Sequence, residues 1–152
     1  ALCETSSLLV ASPAYLTVHG APATPAELGQ HACLHYPRPG DTPVWSFEPR
    51  RGGQRLSIAV RGPLAANNSE ALRAAAVGGL GIALVPDFSA QQALEQGQVV
   101  PVLPAWRVVG AFGSHLWAIR PHTAQVPRTV QALVAWLRQS LHGGFAARGA
   151  DV

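Results

Sequence analysis

Lysine and methionine are both missing from the 152 residues, and all eleven basic side chains are arginine. Charged residues make up only 12% of the chain, about half the usual share. With 48% apolar residues, this excludes a disordered, highly charged polypeptide. Cysteine is scarce: Cys3 and Cys33 form no C-x-x-C pair and cannot build a disulfide framework, so a reducing compartment, the cytoplasm, is expected. No long apolar run exists. The longest, 74–86, is interrupted by Gly78, Gly79 and Gly81, so no membrane span and no membrane partner are expected. The first residues lack the basic start of a secretory leader. The chain enters an apolar segment almost at once and reads as a piece of a longer protein. The net charge of +3 is spread thinly, with only Arg50 and Arg51 adjacent. A nucleic-acid footprint would gather its arginines on one stripe, so direct DNA contact by this segment is not expected.

Recognisable catalytic patterns are absent too. There is no G-x-S-x-G and no H-E-x-x-H, and the eight carboxylates form no pair spaced for acid–base work. Gly78-Gly79-Leu80-Gly81 resembles a dinucleotide loop but follows a helix instead of opening one. It reads as a helix stop and tight turn. His31 and His35 lie four apart across an expected change of element, with no third ligand, so no metal is expected. The residues ask for no cofactor, and no enzyme is expected.

What is present alternates between short elements. Leu8–Ala11 reads as a buried strand. Ser12-Pro13 then opens a short helix that Gly20 stops. Thr24-Pro25-Ala26-Glu27 repeats the opening. A strand is expected over 32–36, and a loop with three prolines over 37–43. Residues 44–61 read as a β-hairpin, with Leu56, Ile58 and Val60 on one face. Asn67, with Glu70 three residues on, predicts the clearest helix, bearing Leu72, Ala75 and Ala76. Ile82–Val85 reads as a fully buried strand. A helix from Pro86-Asp87, strands over 99–103 and 116–119, and an amphipathic helix over 126–141 complete the series. Alternating strands and helices predict an α/β sheet with buried parallel strands.

Ligands of such sheets bind at strand ends beside helix N-termini. Asn67, Asn68 and Ser69 precede the strong helix, where free N–H groups and the helix dipole favour an anion. Two readings stand together here: an anion site, or a plain cap with solvated neighbours. Ser12 is a cap or a cap that also faces a ligand. His35 and Tyr36 end a strand, at a pocket or in edge packing. Trp45, Trp106, Trp117 and Trp136 read as core.

The order and spacing of these residues resemble a known family. Val10-Ala11-Ser12-Pro13-Ala14-Tyr15-Leu16, His19-Gly20-x-Pro22, Pro25-x-Glu27-Leu28 and His31-x-Cys33-Leu34 open the pattern. Trp45-x-Phe47, Gly62-x-Leu64 and Asn67-Asn68-Ser69-Glu70-Ala71-Leu72-Arg73-x-Ala75-Ala76 continue it. Gly79-Leu80-Gly81-Ile82-Ala83, Leu84-Val85-Pro86, Val102-Leu103-Pro104-x-Trp106 and the helix Val130 to Leu137 close it. Together, over about 8–141, they resemble the effector-binding domain of LysR-type transcriptional regulators.

The resemblance implies an α/β fold of the type II periplasmic-binding-protein kind: two subdomains joined by two crossovers, with a small effector in the cleft. Subdomain II would be complete over 14–104. Residues 1–13 would end a subdomain I strand and form the first crossover, 105–142 would return to subdomain I, and 143–152 would be a tail. The DNA-reading domain and half of subdomain I would be absent, leaving apolar surface open. By position, the effector residues would be Ser12, His35, Tyr36, Asn67, Asn68 and Ser69, taking a small, anionic metabolite. A homo-oligomer through the effector domain is expected, with the 44–61 hairpin at its interface and DNA contacted only through the absent domain. The competing readings are a transporter's solute-binding protein, and an enzyme on the same scaffold.

Overall fold

The computed structural model describes residues 1–145 apart from 38, 39, 41, 121, 123 and 124; the expected tail lies outside the described residues from 146 on. Its centre is β2 (Ser7–Ala11), whose apolar run Leu8–Ala11 is buried from Leu9 onward, as in a strand covered on both faces. Around it a four-stranded sheet forms in the order β3 (Cys33–Leu34), β6 (Ile82–Pro86), β2, β7 (Val100–Pro101). Only β3 and β6 run parallel; β2 is antiparallel to both β6 and β7. The expected parallel sheet is therefore mixed. Burial on both faces produces the same apolar run in a strand of either direction, so the residues do not encode direction.

Side chains alternate across this sheet. Leu9, Ala11, Cys33, Ile82 and Leu84 face one core with Tyr15, Leu28, Trp45, Phe47 and Val60. Val10, Leu34, Ala83 and Val85 face a second core built with Leu72 and Ala76 of α2 (Ser69–Val77) and Ala90 and Ala93 of α3 (Asp87–Glu95). Each fully covered Leu, Val or Phe in these cores contributes about 1.5–3 kcal/mol.

α1 (Pro13–His19) starts as expected: the Ser12 hydroxyl accepts from the Tyr15 N–H at 3.1 Å, and Gly20 ends the helix at φ +78°. The next opening differs. Pro25–Gln30 is a 3-10 helix without a Thr24 side-chain cap; instead the Glu27 carboxylate takes the Ala23 N–H and the Thr24 hydroxyl. The expected strand over 32–36 shortens to β3, extended by a parallel bridge between His35 and Ala65. Two glycines let neighbouring chain press against β3. A Cβ on Gly62 would lie 2.1 Å from the Cys33 carbonyl oxygen, and one on Gly81 2.2 Å from that of Ala32.

The hairpin forms as β4 (Val44–Pro49) and β5 (Leu56–Ala59), but as part of a second sheet, ordered β5, β4, β8 (Trp106–Val109). Trp45 and Phe47 point from it into the first core. A third, two-stranded ladder pairs β1 (Cys3–Glu4) with β9 (His115–Leu116). The passage from this ladder to the main sheet falls at Thr5–Ser6, so β2 belongs wholly to the larger sheet. The strand expected over 116–119 stops early, and Trp117 and Ile119 are exposed. α4 (Arg128–Ser140) has the expected amphipathic pattern yet buries none of its residues. Trp117 and Trp136, read as core, are therefore surface residues.

Candidate functional site

Register decides which expected site residues meet. Ser7 pairs with Pro86 and Val10 with Ala83, while Leu34 pairs with Ala83. The C-terminal ends of β3 and β6 and the start of β2 thus lie at one end of the sheet; Ser12 lies at the other. There Ser12 is buried, caps α1, and stands beside Gly79, where a Cβ would lie 3.6 Å from its hydroxyl. Ser12 therefore does not join the other expected residues.

Those others do converge. Around the His35–Ala65 bridge, the His35 N–H donates to the Leu64 carbonyl and the Ala66 N–H to that of His35. This brings the end of β3 beside the start of α2. The His35 Nδ1 lies 3.1 Å from the Tyr36 carbonyl. The Tyr36 ring meets Phe112 edge-on at 5.2 Å between centroids. At α2 the cap is Asn68, not Asn67: its backbone is extended and its Oδ1 accepts from the Glu70 N–H at 2.8 Å. Asn67 is exposed just outside the helix. The Ser89 hydroxyl donates to that of Ser69 at 3.0 Å, holding the helix start against α3. Glu70, in the first turn, offsets part of the dipole's attraction for an anion.

The residue reading missed Asp87. It is fully buried at the first position of α3, at this same end of the sheet. Its Oδ2 accepts from the Ser6 N–H at 2.8 Å and the Ser6 hydroxyl at 3.0 Å. Its Oδ1 accepts from the Thr5 hydroxyl and the Phe88 N–H, and its own N–H donates to the Ser6 carbonyl. A carboxylate thereby clamps the Thr5–Ser6 passage to a helix N-terminus. The signal in the sequence was an acid directly after a strand and proline that otherwise bury everything.

At the far end, Tyr15 accepts from the Ala32 N–H at 3.0 Å, and its hydroxyl lies 3.2 Å from the His31 Nδ1. The Tyr15 ring stacks on His19 at 4.4 Å. Burial pushes the Tyr15 hydroxyl above its ordinary pKa. Burial, then the nearby His19, holds His31 below its own, with Glu27 opposing. The buried Cys33 thiol is pushed up to about 12, which leaves it inert as a nucleophile. Among the described residues, no three His, Cys, Asp or Glu are placed to hold a metal. No helix among them is long and apolar enough to cross a membrane.

A mixed sheet packed between helices and a second sheet, with one chain passage from each of the two sheets to a separate two-stranded ladder, has the fold of the type II periplasmic-binding-protein kind. Within that class, the chain belongs to the LysR substrate binding domain family, whose profile matches residues 1–142. It is 32% identical over 137 residues to the probable HTH-type transcriptional regulator LtrA of Klebsiella pneumoniae, covering 88% of this chain and 43% of that protein. It is 34% identical over 128 residues to the uncharacterized HTH-type transcriptional regulator YhjC of Escherichia coli, covering 84% and 42%. Among solved structures, the regulatory domain of AphB in Vibrio vulnificus superimposes with a TM-score of 0.68 at 25% identity, covering 91% of this chain and 65% of that one. The full-length Vibrio cholerae virulence activator AphB, described as a member of the LTTR family, gives 0.61 at 35%, covering 69% and 35%. The chain spans less than half the length of the curated regulators it matches. These relatives regulate transcription, so the transporter reading is set aside.

Proposed function

We infer that this chain is the sensing part of a LysR-type regulator that takes a small anionic metabolite at the β3–β6 end of the main sheet. His35, Tyr36, Asn67, Asn68 and Ser69 hold it, and Ser12 has no part in contact with it. The observation that carries this reading is the His35–Ala65 bridge, which gathers the strand end, the polar tripeptide and the helix N-terminus into one place. First-turn N–H groups and the Asn67 and Ser69 side chains donate to the anion, while Tyr36 supplies an apolar wall. The first passage leaves the main sheet at this end and the second lies against it through the Tyr36–Phe112 contact, so a ligand that binds two arrangements of these passages unequally shifts the balance between them. The readout is transcription: DNA is contacted by another part of the complete regulator, which works in the cytoplasm as a homo-oligomer.

The test is a thermal-shift screen of small carboxylates on the complete regulator, followed by a promoter reporter. A ligand that raises Tm and changes reporter output is expected to lose affinity in Asn67→Ala and in Ser69→Ala. Unchanged affinity in both variants would show that the helix start is only structural.

A further inference from the structure

Beside this sheet end lies a second feature, an open cavity whose walls carry aromatic and aliphatic side chains. A cavity of about 550 Å³ lies between the two larger sheets, within the range of roughly 300–1,000 Å³ usual for small-molecule sites. Tyr36 and Leu84 contribute from the first sheet, Trp45 and Val109 from the second, and Phe112 from the chain leaving for β9. Arg55 is the charged side chain at its rim, and no carboxylate lines it among the described residues. Arg55 has no hydrogen-bond or ion-pair partner among those residues. Its guanidinium lies across the Gly110 backbone, where a Cβ would stand 3.7 Å from Nη2. Residues 109–112 thus form one side of the cavity and carry the second passage between ladders.

We propose that this cavity binds the ring of an aromatic monocarboxylate, with Arg55 as the counter-ion of its carboxylate. The inference rests on the sensing reading and adds to it a ligand class and a cation at a separate place. Aromatic and aliphatic walls favour a flat apolar body, and Tyr36 and Phe112 already meet edge-on, the geometry in which a further ring packs well. Among the described lining residues Arg55 is the one guanidinium, and it matches one planar carboxylate through two parallel hydrogen bonds. A second negative charge would find no second cation among the described lining residues. An occupant touches residues 109–112 directly and so holds the second passage in one arrangement.

Isothermal titration of the full chain with 2-naphthoate, 2-naphthamide and acetate tests this. 2-Naphthoate is expected to bind. The neutral amide is expected to bind at least ~10-fold more weakly, as is the acid to Arg55→Gln, since a charge-assisted pair is lost. Arg55 is exposed, so the variant's urea midpoint stays unchanged. Acetate, lacking the ring, gives no measurable heat. No binding of 2-naphthoate, equal binding of acid and amide, or an unaltered affinity in Arg55→Gln would each overturn the proposal. A small acid whose binding depends on Asn67 and Ser69 but not on Arg55 would overturn it too, while leaving the sensing reading intact.

Discussion

Two side chains separated by one position divide the work at the start of α2. Asn68 caps the helix, so Asn68→Ala is expected to cost about 1 kcal/mol in urea unfolding. Asn67→Ala is expected to cost less than about 0.5 kcal/mol, because Asn67 lies outside the helix and exposed. The residues announced a cap here but placed it one position early, since Asn67 and Asn68 are chemically equal and only the turn out of the Ala65 bridge decides between them. His31 carries the pH dependence. Its folded-state pKa is lowered, chiefly by burial, so the unfolded chain takes up the proton first as pH falls. Stability is therefore full above the ordinary histidine value of about 6.5 and is lost as pH drops through it toward the lower folded value. Urea midpoints between pH 7.5 and pH 5 should show the decline, and His31→Gln should flatten it. A slope unchanged in that variant would assign the proton to another group.

Elements were largely legible, and their extents were not. The buried runs, the capped helices and the hairpin follow from period and punctuation. Strand lengths depend on partners: β9 ends at Leu116 because β1 offers only two residues to pair with. Asp87 acts at this scale, joining α3 to the Thr5–Ser6 passage. Asp87→Ala would leave the Ser6 N–H and two hydroxyls without their acceptor and is expected to cost about 2–4 kcal/mol in urea unfolding. Exchange of the Ser6 amide proton should accelerate beyond that global change, and a cost below about 1 kcal/mol would mean water replaces the carboxylate freely. The hairpin cannot be deleted cleanly as a test of its interface role, because Trp45 and Phe47 belong to the core. β8 covers one edge of β4, so β5 is the hairpin's outer strand, and β8 is the other edge of that sheet. If the β5 edge joins two copies, Ala59→Lys should shift the complete regulator toward monomer in sedimentation, since an edge lysine resists strand pairing. An unchanged oligomer would place the interface elsewhere.

Across the whole molecule, apolar surface is unevenly covered. Leu133 and Trp136 of α4 are 55% and 62% exposed, and Ile119 is 93% exposed. Val130 and Leu137 of α4 line a shallow cavity of about 250 Å³ shared with Leu2 and Ile119. Such a patch binds apolar probes. A hydrophobic dye should therefore fluoresce with this chain, and Leu133→Gln together with Trp136→Gln should cut the signal severalfold; an unchanged signal would place dye binding elsewhere. The sequence by itself determined the family, most of the elements in their order though not β1 or β8, which strands are buried on both faces, and the polar groups at the start of α2, because these are local patterns of period, caps and turns. Only the tertiary structure decided that β2 runs antiparallel, that Ser12 sits at the wrong end of the sheet for a shared site, and that Asp87 and Arg55 stand where they do. Strand direction, register and the meeting of residues distant in the chain are set by packing free energy summed over many contacts, and no single segment carries that sum.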